Sequence, residues 1–278
     1  MTGDRPVVRD DRVLRSTRLL SLFIAPFLLV AFVILYGFPG DTRRLWAWPI
    51  RPTMTAMVLA AAYLGGCYFF VRVLTERRWA AVKFGLVAVV VFSSSLGVVT
   101  VVHWDRFTHG SLAFWLWAGL YFTAPFLVAA AWVANRRYAA PASADEPRLG
   151  AVATSVVAAF GVLALVTGLT MVLAPSVVLP VWPWTLTALT CRVVGAVLCL
   201  GCAGLGVLVD ARWTALRLMV QVEVVMVVLI LVAAARAHAE FDPGRVLTWL
   251  MLVGFAGLLA GAGALWLAHE RRSHRGWG

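Results

Sequence analysis

The sequence predicts an all-α integral membrane protein with eight transmembrane helices, built as two parallel tandem four-helix repeats. Two observations support this fold class: apolar residues fall in blocks of membrane-spanning length, and tryptophans recur at a nearly constant separation. Of the 278 residues, 62% are hydrophobic, whereas soluble domains are roughly half apolar. A helix needs about 20 apolar residues to cross roughly 30 Å of hydrocarbon. Because lipid offers the backbone no hydrogen-bond partners, blocks of this length must be helical.

Tryptophan spacing predicts that the chain is a tandem duplication. Ten of the 13 tryptophans fall into five pairs. Tryptophan is rare, so chance would hardly give one such pair at a fixed offset, and self-similarity at a fixed period indicates a repeat architecture. The pairs are Trp46 with Trp182 and Trp48 with Trp184, at a numbering offset of 136, and Trp79 with Trp213, Trp115 with Trp249 and Trp132 with Trp266, at an offset of 134.

The apolar blocks fall four to each repeat. We predict a first repeat at 18–137 and a second at 150–272, joined by a cytoplasmic linker at 138–149 and flanked by cytoplasmic tails at 1–17 and 273–278. Because an even number of spans returns the chain to its starting side, an axis along the membrane normal should relate the repeats. The linker has no apolar periodicity, so we expect it to be flexible. The predicted spans are 18–38, 54–75, 79–102, 111–135, 150–174, 187–209, 213–236 and 245–268.

The distribution of basic residues predicts the topology. A net charge of +11 would suggest nucleic-acid binding in a soluble protein, but here the arginines cluster between apolar blocks, as the positive-inside rule describes. With the N-terminus inside, 17 of the 24 Lys and Arg residues lie in inner segments and seven in outer segments. The sequence therefore predicts membrane lipids as partners, no nucleic acid, and both termini in the cytoplasm. Lys83 is the only lysine, and this arginine bias is typical of a GC-rich bacterium, so we expect a bacterial plasma membrane.

Several chemical classes find no support in the sequence. The four cysteines lie in or beside apolar blocks, and Cys199 and Cys202, one turn apart on a predicted membrane helix, suit helix packing better than redox chemistry. The basic start and the apolar block from about Leu19 to Phe38 resemble a signal peptide, but the block is too long and lacks a cleavage site. Nucleotide-binding, zinc-protease and serine-hydrolase motifs are absent from the sequence, and no cofactor or metal is predicted.

One acidic residue lies at predicted membrane depth. Glu223 is ten residues into the helix that begins at Trp213, which places it about 15 Å deep at 1.5 Å per residue. An ionisable group there costs several kcal/mol unless it is paired, and it marks a functional site by default. Arg192, on the preceding helix, is the partner that the sequence predicts. The alternatives are a structural polar bridge and a ligand or proton site at Glu223.

A second polar group is predicted where the third and seventh helices end at the outer face. His103 and Asp105 have the same spacing as His238 and Glu240, at near-equivalent positions of the duplication. Two histidines and two carboxylates could converge across a pseudo-twofold axis, and such ligands suit zinc or a non-haem metal. The simpler interpretation, and the one we favour, is that helix ends at a water interface are polar without binding a metal.

Each repeat carries a Trp-x-Trp segment in its first connection: Trp46 and Trp48 in one, Trp182 and Trp184 in the other. Amphipathic indole rings anchor helices at membrane interfaces, so the sequence predicts interfacial anchors. The alternative is that these rings stack on a ligand.

The stretch WPWTLTALTCRVVGA, from Trp182 to Ala196, resembles uncharacterised multi-pass membrane proteins of actinobacteria. Their motif reads approximately Trp-Pro-Trp, Leu-Thr, Pro-Leu-Thr and then Arg-x-x-Gly-Ala, and Ala188 stands where that pattern has proline. The resemblance covers one connection and one helix start. It implies no activity, substrate or cofactor, but it does imply that Arg192 belongs to a motif.

Three functional classes follow from these observations. The favoured one is a non-catalytic membrane protein that binds a lipid or small hydrophobic molecule, or that supports a membrane-protein complex. The second is a small-molecule transporter with Glu223 as its proton-coupled group. The third is a membrane-embedded enzyme, such as an isoprenoid cyclase, with Glu223 as general acid. The enzyme requires a second acid near Glu223, and the transporter requires polar residues in both repeats, whereas the first repeat has few at that depth.

Overall fold

The computed structural model of this chain describes residues 9–143 and 146–275, with side chains as far as Glu270. Residues 1–8 and 276–278 of the predicted tails, and 144–145 of the predicted linker, lie outside the described residues. The topology prediction at Met1 and Gly278 therefore concerns positions outside this range.

The described part of the chain contains eight helices that are long and apolar enough to cross a membrane, at nearly the predicted positions. The protein is thus an all-helical, multi-pass membrane protein whose helices contact lipid. The last helix runs past the predicted span into the segment predicted as a tail. The helices are α1 (Arg15–Phe32), α2 (Thr53–Thr75), α3 (Trp79–Val102), α4 (Leu112–Arg136), α5 (Ala151–Leu173), α6 (Ala188–Cys199), α7 (Trp213–Arg236) and α8 (Val246–Arg275).

Two of the helices depart from regular α-geometry. Helix α1 contains Pro26 and ends in a π-helical turn, Val33–Gly37. Helix α6 continues as a 3₁₀-helix, Leu200–Leu208. This second half of the span packs closely on α5, where a Cβ on Gly201 would lie 2.5 Å from the Cβ of Ala164. Only glycine fits at such a distance, so the backbone of Gly201 lies directly against the side chain of Ala164.

The centre of the bundle consists of α2, α3, α6 and α7. Helix α2 packs on α7 and α3 packs on α6, while α1 covers α2, α4 covers α3 and α5 covers α6. Helix α8 differs, because its main helix contact is α7 alone. Within the most apolar 18-residue window of each span, 67% of the α2 residues are buried and none of the α8 residues are. The core therefore lies around α2 and thins towards α8.

Two ends of the bundle are distinguished by their loops. The linker end holds residues 9–14, 76–78 and 146–149, and the Trp-x-Trp end holds residues 46–48 and 182–184. At the linker end, the backbone N–H of Trp79 donates to the carbonyl of Asp11, and that of Trp213 donates to the carbonyl of Pro147. The two donors differ in position by 134 and the two acceptors by 136, which are the offsets of the tryptophan pairs. In both halves, therefore, the start of the third helix is hydrogen-bonded to the segment that precedes the first helix.

The Trp-x-Trp end shows a matching pair of contacts. The backbone N–H of Thr108 donates to the carbonyl of Ala47, and that of Asp242 donates to the carbonyl of Pro183, each at 2.8 Å. These positions again differ by the offsets of the tryptophan pairs. In both halves, therefore, the loop after the third helix is hydrogen-bonded to the middle residue of the Trp-x-Trp segment.

Candidate functional site

A large apolar cavity lies alongside α7. Its volume is about 710 Å³, and its walls come from α5, α6 and α8 as well as from α2 and α3. Three glycines of α8, Gly254, Gly257 and Gly261, line it, and no heavy atom lies within 4 Å of where a Cβ would stand on any of them. The cavity exists because α8 presents this bare backbone at a distance from α5 and α6.

Glu223 lies in the wall of this cavity, in the middle of α7. Its side chain is exposed to the cavity. Among the described residues it has neither a hydrogen-bond nor an ion-pair partner. Within the described part of the chain, no other Asp or Glu lines the cavity. The site therefore combines an apolar space with a single carboxyl group at membrane depth.

Arg192 is not the partner of Glu223. Its Nε donates to the carbonyl oxygen of Val172 at 3.0 Å, and its Nη1 lies 2.9 Å from Nε2 of His103. The predicted pair fails for a reason of packing: α6 packs on α5 and α3, whereas α7 packs on α2, α3 and α8. The α-helical part of α6 is not a close neighbour of α7, and the guanidinium of Arg192 instead contacts His103 at the end of α3.

His103 fits this contact as a neutral ring. Burial, together with the positive charges of Arg192 and Arg106, lowers the pKa of His103 below its ordinary value of 6.5. A neutral imidazole nitrogen can accept the hydrogen bond that the guanidinium donates. The contact between Arg192 and His103 joins α6 to the end of α3.

The two histidines and two carboxylates at the outer helix ends do not converge. Both oxygens of Glu240 accept hydrogen bonds at the start of α2, from the N–H and Oγ1 of Thr53 at 2.9 and 2.6 Å and from the N–H of Met54 at 2.7 Å. His238 contacts its own helix end through the carbonyl of Ala235. Asp105 is exposed. Within the described part of the chain, no three His, Cys, Asp or Glu side chains are placed to hold a metal ion.

The four Trp-x-Trp rings are buried rather than placed at a lipid interface. Trp48 and Trp184 are each 2% exposed, and Trp46 and Trp182 are 9% and 6% exposed. The Nε1 of Trp184 donates to Oγ1 of Thr55 at 2.9 Å. The indole N–H groups of Trp46, Trp48 and Trp182 have no acceptor among the described residues. These rings pack the core, which differs from the interfacial role predicted for them.

A pair of tyrosines that the sequence analysis missed lies between helices of the first half. The hydroxyl of Tyr121 on α4 donates to that of Tyr63 on α2 at 2.8 Å, and both residues line the large cavity. They are 58 positions apart in the chain. Nothing in their local sequence indicates the contact.

A charge network lies at the linker end, where the sequence predicts a flexible linker and gives no sign of such contacts. One carboxylate oxygen of Glu146 pairs with Arg78, and the other accepts from Nη1 of Arg212 at 2.8 Å. Burial opposes ionisation, but hydrogen bonds from Arg212 and Arg78 hold the pKa of Glu146 below its ordinary value. Asp210 in turn pairs with Arg212 and with Lys83. The linker residue Glu146 thus ties the two halves together.

The chemistry of the site is limited by its lining. A lone carboxyl in an apolar wall can donate or accept a hydrogen bond, or pair with a cation, but it offers no nucleophile with an adjacent base. No protein family model, curated protein or solved structure matches this chain. Function is therefore inferred from the geometry of the cavity and from Glu223.

Proposed function

We propose that this protein binds a lipid or another small hydrophobic molecule in the cavity beside α7, without converting it chemically. The cavity itself carries the proposal. Ligand sites typically enclose about 300–1,000 Å³, are mostly apolar and contain a few fixed polar groups. The volume of about 710 Å³ and the apolar walls fit that description.

Glu223 supports a ligand with a polar group partway along its length. A carboxyl at membrane depth without a partner costs several kcal/mol, and no protein group supplies one among the described residues. A ligand hydroxyl, amine or amide would satisfy it. The carboxyl would then fix the depth at which the ligand sits in the membrane.

Two indole groups favour an elongated ligand. Trp182 lines the cavity near the Trp-x-Trp end and Trp213 lines it near the linker end, and neither Nε1 has an acceptor among the described residues. Buried donors without acceptors are destabilising. A molecule lying along the bundle, with acceptors near its two ends, would satisfy both donors.

The proposal is tested by filling the cavity. In Gly257→Leu, a leucine side chain enters the open space of the cavity, so the amount of lipid-like material extracted from the purified protein should fall several-fold. Gly119→Leu is the matched control, because Gly119 also has open space at its Cβ position but does not line the cavity. Equal recovery from both variants, measured by mass spectrometry of the extract, would contradict a ligand in this cavity.

Transport is a second candidate, because the cavity lining runs the length of the bundle. It reaches Leu149 and Trp213 towards the linker end and Trp182 and Leu247 towards the other. A carrier would move a fluorescent lipid between the leaflets of a proteoliposome. In Glu223→Gln, transport should stop while binding to the detergent-solubilised protein persists. Binding without measurable transport in the unchanged protein would favour the first function.

We further propose that the chain is a tandem duplication in a bacterial plasma membrane, with both termini in the cytoplasm. The tryptophan spacing, the paired backbone contacts and the 17 to 7 division of basic residues support this. The resemblance of residues 182–196 to actinobacterial membrane proteins is part of the same proposal. Reporter fusions at Met1 and Gly278 test the topology, and a signal from the outer side at either terminus would contradict it.

A further inference from the structure

A second, smaller cavity lies between α1 and α4, in the first half. Its volume is about 290 Å³. Pro26 and Val30 of α1 and Leu116 of α4 line it and are exposed on the bundle surface. Since this surface faces hydrocarbon, the cavity is open to molecules dissolved in the bilayer.

The inner wall of this cavity is aromatic. Trp46 and Tyr63 line it with ring centroids 6.0 Å apart, and Trp117 and Tyr121 line it with centroids 4.3 Å apart. Among the described residues, no charged side chain contributes to the lining. Aromatic walls stack on flat rings, and an ion without an opposite charge in the lining would be costly to bury.

This wall contains hydrogen-bond donors that have no acceptor among the described residues. The Nε1 of Trp46 is buried and has no acceptor among the described residues. Tyr63 and Tyr121 share one hydrogen bond, so whichever hydroxyl donates, the other O–H is left over. Among the described residues, neither tyrosine hydroxyl has a further acceptor. Because buried donors are nearly always paired, two donors left over in one apolar cavity point to an acceptor brought by a ligand.

The matching positions of the second half lack this arrangement. At the offsets of the tryptophan pairs, Cys199 corresponds to Tyr63 and Phe255 corresponds to Tyr121. Neither residue carries a hydroxyl, so the tyrosine pair has no counterpart at these positions. The tyrosine pair lines both cavities, whereas Trp46 lines only the smaller one.

We propose that the cavity between α1 and α4 binds a flat, neutral ring that carries carbonyl oxygens, of the quinone class, taken from the bilayer. Trp46 and the tyrosine pair would donate hydrogen bonds to the carbonyl oxygens. The volume, at the lower end of the range for ligand sites, suits a ring head group better than a whole lipid. The two cavities share Tyr63 and Tyr121, but Trp46 belongs to the smaller one alone, so this proposal can be tested apart from the function proposed for the cavity beside α7.

Two ring compounds that differ only in their carbonyls test the proposal. 2-Methyl-1,4-naphthoquinone carries both oxygens, and 2-methylnaphthalene carries none. Binding to the full chain in detergent is measured by equilibrium dialysis. We expect the quinone to bind about tenfold more tightly or better, since two hydrogen bonds of about 1 kcal/mol each correspond to more than a tenfold change. Equal affinity for the two compounds would overturn the proposal.

Variants then place the site. The double change Tyr63→Phe with Tyr121→Phe keeps both rings and should weaken quinone binding about fivefold or more, and Trp46→Phe should weaken it about as much. Trp182→Phe is the matched control, because this indole is the counterpart of Trp46 in the second half and also lacks an acceptor, yet it lines only the larger cavity. Unchanged binding in Trp46→Phe, which alters a single residue, would overturn the proposal even if the double variant did not fold.

Two further measurements separate this site from the larger cavity. Gly257→Leu should leave quinone affinity unchanged while it reduces lipid recovery, so either proposal can fail alone. Competition by monoolein, an acyl ester, should be at least tenfold weaker than competition by unlabelled quinone. Equal competition would replace the quinone class with an acyl lipid and overturn the ligand assignment.

Discussion

The last helices of the two halves, α4 and α8, differ in how they pack on the rest of the bundle. Helix α4 packs closely on α3, with the ring of Tyr121 centred 6.1 Å from that of Phe92. Helix α8 stands apart and lines a large cavity. At the offset of 134, Gly254 and Gly261 of α8 stand where α4 has Leu120 and Leu127. Leu120 is half-buried but Leu127 is 51% exposed, so the ligand-sized space comes mainly from the position of α8, which packs on α7 and stands apart from α5 and α6.

The largest expected effect compares two matching residues of these helices. Trp117 is 4% exposed, and its Nε1 donates to Oγ1 of Thr100 at 2.8 Å. Trp117→Ala should lower the free energy of unfolding by about 3–5 kcal/mol, the usual effect of emptying a core aromatic position. Met251, the corresponding residue of α8, is only half-buried in the cavity wall. Met251→Ala should cost about 0.5–1 kcal/mol, and comparable losses, measured by thermal unfolding in detergent, would remove the distinction between the halves.

The second effect compares the matching arginines of the linker end. The side chain of Arg212 is 7% exposed and contacts both Glu146 and Asp210, whereas that of Arg78 is 41% exposed. Breaking a buried pair leaves an uncompensated charge, so Arg212→Leu should destabilise the protein by about 3 kcal/mol. Arg78→Leu should cost about 1 kcal/mol or less. A larger loss in Arg78→Leu than in Arg212→Leu would contradict this ranking.

The third effect concerns how α2 and α6 begin. Glu240 caps α2 from the other half, while Thr187 caps α6 from its own chain neighbours through a capping box. Removing a cap typically costs about 0.5–2 kcal/mol, and Glu240→Ala should lie at the upper end because three hydrogen bonds are lost. Asp105→Ala is the control, since Asp105 is the matching acid and is exposed. Equal unfolding temperatures for the two alanine variants would show that the cap contributes nothing.

The smallest effect is a pH dependence. Burial and the charges of Arg192 and Arg106 lower the pKa of His103 below its ordinary value of 6.5. The unfolded chain therefore takes up this proton more readily than the folded one. The contribution of His103 to the free energy of unfolding is fully present above pH 6.5 and is lost as the pH falls through the folded-state pKa. Unfolding temperatures between pH 7.5 and 5 should decline less in His103→Gln than in the unchanged protein, and an equal decline in the two proteins would contradict this prediction.

The sequence was sufficient for the spans but not for the contacts between them. Hydrophobic block length reflects the thickness of a bilayer, so the eight helices could be predicted from composition. The Glu223–Arg192 pair could not, because its prediction assumed that consecutive helices pack side by side. Glu223 lines the large cavity. Its surroundings depend on where α8 stands, which no local pattern encodes.

Other parts of the site depended on positions far apart in the chain. Tyr63 and Tyr121 meet across two helices, and neither carries a motif. Glu146 lies in a polar, Pro-containing segment of a kind that normally indicates flexibility, and its two arginines come from different loops. The tryptophan spacing did indicate where equivalent contacts would fall, but it could not show that the Trp-x-Trp rings turn inwards.

The cap on α2 has a consequence for the order of events during synthesis. The backbone N–H of Thr53 donates to the carboxylate of Glu240, which lies 187 positions later in the chain. At about 5–20 residues per second, α2 would be made roughly ten to forty seconds before Glu240 leaves the ribosome. During that interval the first N–H groups of α2 must bond to water or lipid headgroups at the membrane surface. Helix α6, which carries its own threonine cap, can reach its final depth with no such delay.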